Sequence, residues 1–425
     1  MNNQRLELVA DFYEYTMANG YFNKNMQDRI AYFDVFFRKV PDEGGYAIVA
    51  GLEQIINYIR NLSFDEEDIS YLRKQNKFSE EFLSYLENFR FTGDIWAIPE
   101  GTVVFPNEPL ITVKAPIIQA QLLETMLLLT TNHQSLIATK TSRIVKEAQG
   151  RPVMEFGARR AHGINAAVEG ARAAIIGGAV GTSCTLSAKE FNVPASGTMA
   201  HSWIQSFESE YEAFKAYAEL YPEDCTFLID TYNTIESGLP NAIKVFNEVL
   251  KPKGYRPKAV RLDSGDLAYL SKKVRKILDE AGYEDCKICA TNSLDEYLIK
   301  SLIEQDAKID LFGVGENLIT AKSEPVFGGV YKLVALEKDK KIVPKIKVSE
   351  NTAKVTNPSF KKVYRFYDNE TKKAIADVIT LADEIIDERE YMIFDPQNPW
   401  KKKVLKDYSI RLLQEKIFEE RKINI

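Results

Sequence analysis

At 425 residues, and with about 150 residues per domain as a prior, the chain has room for two or three domains and a substantial core. A composition of 45% hydrophobic and 27% charged residues, with 22 Gly and 16 Pro, excludes collagen-like, disordered and low-complexity architectures. Lys and Arg total 55 against 61 Asp and Glu, a net charge of -6, and no basic block approaches the stripe that a nucleic-acid backbone requires. The longest apolar stretch, Ala173 to Gly181, is about half a membrane span, and Glu7, Asp11 and Glu14 interrupt the N-terminus. The expectation is a soluble, unprocessed cytoplasmic protein. Four cysteines in a chain this long are not a disulfide scaffold, and Cys286 and Cys289 lie in a strand-like run without the second pair a zinc site wants.

In chain order, the first section, residues 1–135, mixes strands and helices. Ala31–Phe37 reads as a strand, Gly51–Leu62 as a helix, and residues 92–114 as an alternating β run broken by Pro99, Gly101, Pro106 and Pro109. Gln119–Ala148 reads as one long helix or a kinked pair. After Arg151 short apolar runs, each ending in polar or glycine residues, alternate with helix-length segments. Seven such runs end at Gly157, Ser183, Ser202, Thr231, Asp263, Asn292 and Gly313. Most are spaced as βα units, which predicts an irregular parallel α/β barrel over residues 136–330 with its site at the C-terminal strand ends. The last section, residues 331–425, returns to strands (Val330–Leu336, Ile342–Val348, Lys362–Tyr367) and then reads as a charged helix near Lys406–Arg421. It is expected to pack with the first section as one discontinuous α+β domain.

The strand ends are therefore the first places to look for chemistry. Glu155-Phe156-Gly157-Ala158-Arg159-Arg160 offers a ring that can stack on a planar ligand and guanidiniums suited to carboxylate or phosphate. The bland reading is a buried Phe followed by two solvated Arg. His201 is one of three histidines, with His133 and His162, and no second histidine stands at metal-ligand spacing. It is either a reactive imidazole or a hydrogen-bonded core histidine. Arg261 and Asp263 alternate onto one face of a strand, where they form a structural ion pair or engage a ligand, Arg261 a carboxylate and Asp263 the hydroxyls of a ribose. Asp230 can bind Mg²⁺ as a hard carboxylate oxygen donor. Gly313-Val314-Gly315 ahead of an expected helix, together with Thr291-Asn292-Ser293, suits a phosphate held on backbone N–H groups.

With those residues in place, the chain resembles the nicotinate phosphoribosyltransferase family of type II phosphoribosyltransferases. The resemblance runs through Asp11-Phe12-Tyr13, Thr16-Met17-Ala18, Phe36-Phe37-Arg38-Lys39, Ala50-Gly51-Leu52-Glu53-Gln54, Ile137-Ala138-Thr139-Lys140 and Glu155 to Arg160, and continues through Ser196 to Ser202, Asp230-Thr231-Tyr232, Arg261 to Asp266 and Gly328 to Leu333. It implies transfer of phosphoribosyl from 5-phosphoribosyl 1-pyrophosphate to nicotinate, coupled to ATP hydrolysis through a phosphohistidine. On that resemblance His201 is the phospho-acceptor and Phe156 stacks on the pyridine, with Tyr13 of a second subunit on the other face, so a homodimer with shared sites is implied. Arg261 meets the nicotinate end of the ligand and Asp263 the ribose. Arg159 binds phosphate or pyrophosphate, Gly313, Gly315 and Asn292 the 5-phosphate region, Asp230 binds Mg²⁺, and Arg38 and Lys140 neutralise diphosphate or ATP phosphates. Thr182 and Ser183 border the pyridine, and Ser183 stands where the related nicotinamide enzyme has Asp, which favours the acid by removing a repulsion. Two departures stand out: Asn233 where the family motif commonly has a second Asp, and a C-terminal section shorter than in many relatives, without a Cys-rich tail.

The alternatives are a nicotinamide or quinolinate phosphoribosyltransferase, a phosphate-binding isomerase or aldolase barrel, and a catalytically silent scaffold. A quinolinate enzyme needs no ATP and leaves His201 without an explanation, and no strand end carries the Lys of a Schiff-base aldolase.

Overall fold

The computed structural model describes residues 6–348, 355–387, 389–396, 398–419 and 422–423. The chain divides into two compact units, one of residues 1–135 and 326–425, the other of residues 136–325. The division falls within the long helix Glu124–Glu147, which follows the short helix Ile117–Gln121 as the second member of a kinked pair.

The first unit is α+β. Its main sheet has seven strands in the order Lys341–Pro344, Gly329–Lys338, Ile30–Phe37, Ile111–Pro116, Asp94–Ala97, Glu415–Glu419 and Lys422–Ile423, so N- and C-terminal segments are interleaved hydrogen bond by hydrogen bond. The central strand Ile30–Phe37 is buried along nearly all its length, as its near-continuous apolar sequence dictates. A three-stranded sheet (Ala374–Leu381, Lys361–Asp368, Tyr408–Leu412), a hairpin (Glu390–Asp395 with Asn398–Lys406) and a short antiparallel pair (Ala47–Ile48 with Val103–Val104) also belong to this unit.

The charged segment expected as a helix from Lys406 onward is instead two strands, Tyr408–Leu412 and Glu415–Glu419. The first pairs with Lys361–Asp368 and the second with Asp94–Ala97. Pairing with strands far away in sequence overrides the local helix preference of its Glu, Lys and Arg residues. Arg421 lies outside the described residues.

The second unit holds six parallel strands: β1 (Val153–Glu155), β2 (Gly181–Thr182), β3 (Thr226–Leu228), β4 (Ala259–Leu262), β5 (Lys287–Ala290) and β6 (Leu311–Val314). Their order is β2-β1-β6-β5-β4-β3, a curled half-barrel open between β2 and β3. The expected seventh strand at Thr198–Ser202 is not one. Ala195 makes a single bridge to Thr182, the chain then runs without regular pairing, and His201 opens a short helix, His201–Gln205. Hydroxyl and carbonyl groups of this segment are taken up by a side chain, as described below, so no strand ladder forms. All four cysteines are free and buried, and burial pushes the thiols of Cys225, Cys286 and Cys289 up to about 12, which keeps them unreactive.

Candidate active site

The C-terminal ends of the six strands bring most of the expected residues together. Arg261 lies on β4 and spends its fork on four acceptors. Its Nε donates to Thr291 Oγ1 at 2.9 Å, one terminal nitrogen to Thr198 Oγ1 at 2.9 Å and Met199 O at 3.3 Å, and the other to Asp263 Oδ1 at 2.8 Å. With five N–H groups in a guanidinium, one is left over. The Thr291 hydroxyl in turn donates to Asp263 Oδ1. Burial works to raise the Asp263 carboxyl, but these donors and the charge of Arg261 outweigh it and hold it below the usual carboxylate range.

Asp263 Oδ2 faces His201, whose Nε2 is 3.8 Å away, too far for a hydrogen bond. On its other side His201 Nδ1 meets Thr231 Oγ1 at 3.1 Å. The imidazole is therefore oriented by a hydroxyl and stands beside a carboxylate, with 40% of its side chain exposed. Asp230 lies beneath the same turn: its Oδ2 accepts from Asp263 N at 2.8 Å and Ser264 Oγ at 2.6 Å. Its Oδ1 is buried with no hydrogen-bond partner among the described residues. An orphaned buried carboxylate oxygen fits a bound cation. No group of three or more His, Cys, Asp or Glu capable of holding a metal exists among the described residues, so any cation here takes most of its ligands from substrate or water, as Mg²⁺ does.

A second cluster surrounds Phe156. A Cβ on Gly313 would lie 2.6 Å from Phe156 Cδ2 and 2.7 Å from Thr291 Cγ2, so the missing side chain is what seats the ring. Gly157 is equally constrained, since its Cβ would lie 2.6 Å from the Ile319 side chain. Thr291 joins the two clusters, with its hydroxyl on Arg261 and Asp263 and its methyl at the Phe156 seat. Glu155 is fully buried: it accepts from Gly157 N and from Thr182 Oγ1 at 2.6 Å, and burial raises its carboxyl above the ordinary value against those donors.

The other expected residues of the second unit differ among themselves in exposure and partners. Thr182 is buried and spends its hydroxyl on Glu155 and Cys184 N, whereas Ser183 is exposed at the strand end. Lys140 has a side chain 2% exposed, its ammonium held by Glu296 at 2.8 Å and Ser323 at 2.7 Å. The helix after Gly315 is a single turn, Glu316–Ile319, so it adds little macrodipole to the Gly313 and Gly315 backbone. Asn292 and Ser293 both have positive φ (75° and 52°), a strained turn held by Asn317 Nδ2 on the Ser293 and Leu294 carbonyls. Arg159 is exposed on the turn after Phe156.

Tyr13 and Arg38 belong to the first unit. Tyr13 is 44% exposed on the helix Phe12–Asn23, its phenol pushed up by burial and by Glu124. Arg38 follows the central strand, lies over Phe36, and its Nε has no hydrogen-bond partner among the described residues. Thr198, Thr231, Ser264 and Glu155 are site-forming residues to which the sequence reading gave no role, and Thr291, read with Asn292 and Ser293 as suiting a phosphate, also bonds Arg261 and Asp263. The signal was available for Glu155, which ends an apolar run facing the site, but hydroxyls carry no periodicity that marks them out.

No described helix is long and apolar enough to cross a membrane. Three family descriptions match: the nicotinate phosphoribosyltransferase N-terminal domain over residues 8–132, the nicotinate phosphoribosyltransferase family over residues 152–380, and its C-terminal domain over residues 360–424. Nicotinate phosphoribosyltransferase of Bacillus subtilis is 46% identical over 416 residues, covering 98% of this chain and 84% of the relative. The Homo sapiens enzyme of that name is 30% identical over 436 residues, covering 89% and 80%. In the solved structures, human nicotinic acid phosphoribosyltransferase superposes with a TM-score of 0.85 at 26% identity, over 97% of this chain and 90% of that one. With matching models along its length and a relative this similar over nearly all its residues, the chain belongs to the nicotinate phosphoribosyltransferase family.

Proposed function

We propose that this protein transfers the phosphoribosyl group of 5-phosphoribosyl 1-pyrophosphate to nicotinate, giving nicotinate mononucleotide and pyrophosphate for NAD biosynthesis in the cytoplasm. We propose also that ATP hydrolysis is coupled to the transfer through a phosphorylated His201. The observation that carries this reading is the Arg261–Asp263 pair at the strand ends, with one Asp263 oxygen left unpaired beside His201, in a chain of this family.

The ring nitrogen of nicotinate attacks the ribose C1 while the bond from C1 to the diphosphate oxygen breaks. Positive charge builds on the ribose and negative charge on the leaving group. Phe156 holds the planar acceptor, Asp263 takes the ribose hydroxyls, and the unspent N–H of Arg261 reaches the nicotinate end. Arg159 and Arg38 offset phosphate charge, and Gly313, Gly315 and Asn292 line the 5-phosphate. Mg²⁺ held through Asp230 Oδ1 supplies charge stabilisation for the diphosphate when bound. Phosphorylation adds negative charge beside Asp263, which alters the affinity of the site for anionic ligands, and coupling follows from the difference between the two forms. Tyr13 of a second subunit closes the pyridine site in a homodimer, for which light scattering showing a monomer at working concentration would be contrary evidence. Lys140, tied to Glu296, acts on the phosphates only if that pair opens.

The test is mononucleotide formation from nicotinate, phosphoribosyl pyrophosphate and Mg²⁺, with and without ATP, by wild type and His201→Ala. ATP stimulation that disappears in the variant supports the phosphohistidine, and equal stimulation in both removes it. Ser183→Asp is expected to lower the preference for nicotinate over nicotinamide by about tenfold or more. An unchanged ratio would remove Ser183 from the discrimination.

A further inference from the structure

Glu155 has no place in the chemistry above, yet it is a fully buried carboxylate at the C-terminal end of β1, beside the edge strand β2. A charge there is costly where an apolar side chain would fill the same space, so its partners matter. One oxygen accepts the N–H of Gly157, the residue after Phe156. The other accepts the Thr182 hydroxyl at 2.6 Å, and that hydroxyl accepts the N–H of Cys184 at 2.9 Å. Between Thr182 and Cys184 sits Ser183, whose own N–H donates to the Glu155 carbonyl at 2.9 Å. Ser183 is thus clamped on both sides by groups that Glu155 supplies or holds. Phe156 is flanked by Glu155 itself and by a residue on the same carboxylate, and its N–H is fixed on Val314 O at 2.8 Å.

We propose that Glu155 is a positioning residue that sets the spacing between Phe156 and Ser183, acting through Gly157 on one side and Thr182 on the other, and thereby sets the preference for a pyridine carboxylate over a carboxamide. The inference rests on the reading of Phe156 and Ser183 as the residues that border the pyridine. Glu155 and Thr182 touch no substrate in this scheme.

The experiment uses the full-length protein and steady-state kinetics with nicotinate, nicotinamide and phosphoribosyl pyrophosphate, accompanied by thermal melting, for Thr182→Val, Glu155→Gln and Phe156→Leu. Thr182→Val keeps the shape and removes both hydroxyl bonds. It is expected to raise KM for nicotinate about tenfold and to lower the acid-to-amide ratio, with KM for phosphoribosyl pyrophosphate changed by less than about twofold. In Glu155→Gln the amide oxygen can still accept from Gly157 and the amide nitrogen can donate to Thr182, so its constants are expected within about threefold of wild type. If Thr182→Val folds and leaves both KM for nicotinate and the acid-to-amide ratio unchanged, or raises the two substrates' KM values in parallel, the positioning role is overturned. Phe156→Leu separates the two levels: an unchanged KM for nicotinate in that variant overturns the stacking reading itself, whereas a raised one beside an unaffected Thr182→Val overturns only the role of Glu155.

Discussion

Two Arg–Asp pairs of this protein invite comparison, one in each unit. Arg365 and Asp377 form a closed fork, with Nε–Oδ1 at 2.8 Å and a terminal nitrogen to Oδ2 at 2.6 Å, and Arg365 also donates to Val103 O at 2.6 Å. Their side chains are 11% and 6% exposed. Glu108 joins them, with Asp377 beside its carboxyl and Phe105 N donating to its Oε2 at 2.8 Å. Arg261 and Asp263 share a single contact, at 2.8 Å, with side chains 16% and 27% exposed. Three further donors of Arg261 go to two threonines and a carbonyl and one N–H is left over, while Asp263 Oδ2 faces His201 with no hydrogen bond to it. A pair that closes on itself joins strands, and a pair that leaves an oxygen over has something to offer a ligand.

The sharpest way to break this contrast is to remove the arginine of the closed pair. Arg365→Ala leaves Asp377 buried and unpaired and should destabilise the fold by about 3–5 kcal/mol, read by denaturant titration, while the folded fraction keeps its KM values. A loss of well under 1 kcal/mol would mean that the pair is not the strut it looks like. For the open pair the expectation reverses. Asp263→Asn should cut kcat/KM by about a hundredfold or more with only a small change in melting temperature, and a variant that melts early but turns over normally would assign the pair to structure.

The smallest effect sharpens the comparison through pH. Burial, then the neighbouring Asp377, pushes Glu108 up to about 9 from an ordinary 4.5, so the folded state keeps a proton that the unfolded chain gives up. Between those two values unfolding releases that proton, and the contribution of Glu108 to stability falls as pH rises. Glu108→Gln should therefore gain stability relative to wild type from pH 5 to pH 9, measured as the difference in denaturant midpoint at each pH. A difference that is flat, or of opposite slope, would show that Glu108 is ionised in the folded protein at neutral pH.

Much of the site was legible before the structure because apolar runs that end in charge are rare and the barrel rule says where such ends point. Phe156, His201, Asp230, Arg261 and Asp263 all come from that argument, and all five lie at or just beyond the strand ends or on the segment bonded to them. The two local errors have different causes. Thr198–Ser202 has the composition of a strand, but Arg261 takes Thr198 Oγ1 and Met199 O, and the sheet stays open at that edge. The segment after Lys406 has helix-forming residues, but Lys361–Asp368 and, more than 300 positions earlier, Asp94–Ala97 offer it ladders. Lys140 has a contact that no local pattern shows, since its partner Glu296 is 156 positions away.

From its sequence alone this protein determined its alternation of strand and helix, the polar ends of its parallel strands, and the ordered set of motifs that marks its family, because each is written in spacings of a few residues. The tertiary structure decided which of those residues meet. That Asp263 keeps a free oxygen while Asp377 has none, that Gly313 makes room for the Phe156 ring, and that a buried Glu155 ties two strand ends together depend on contacts between segments far apart in the chain. Burial then gives each contact its weight, since a hydrogen bond or a charge that is nearly neutral in water becomes decisive once solvent is excluded.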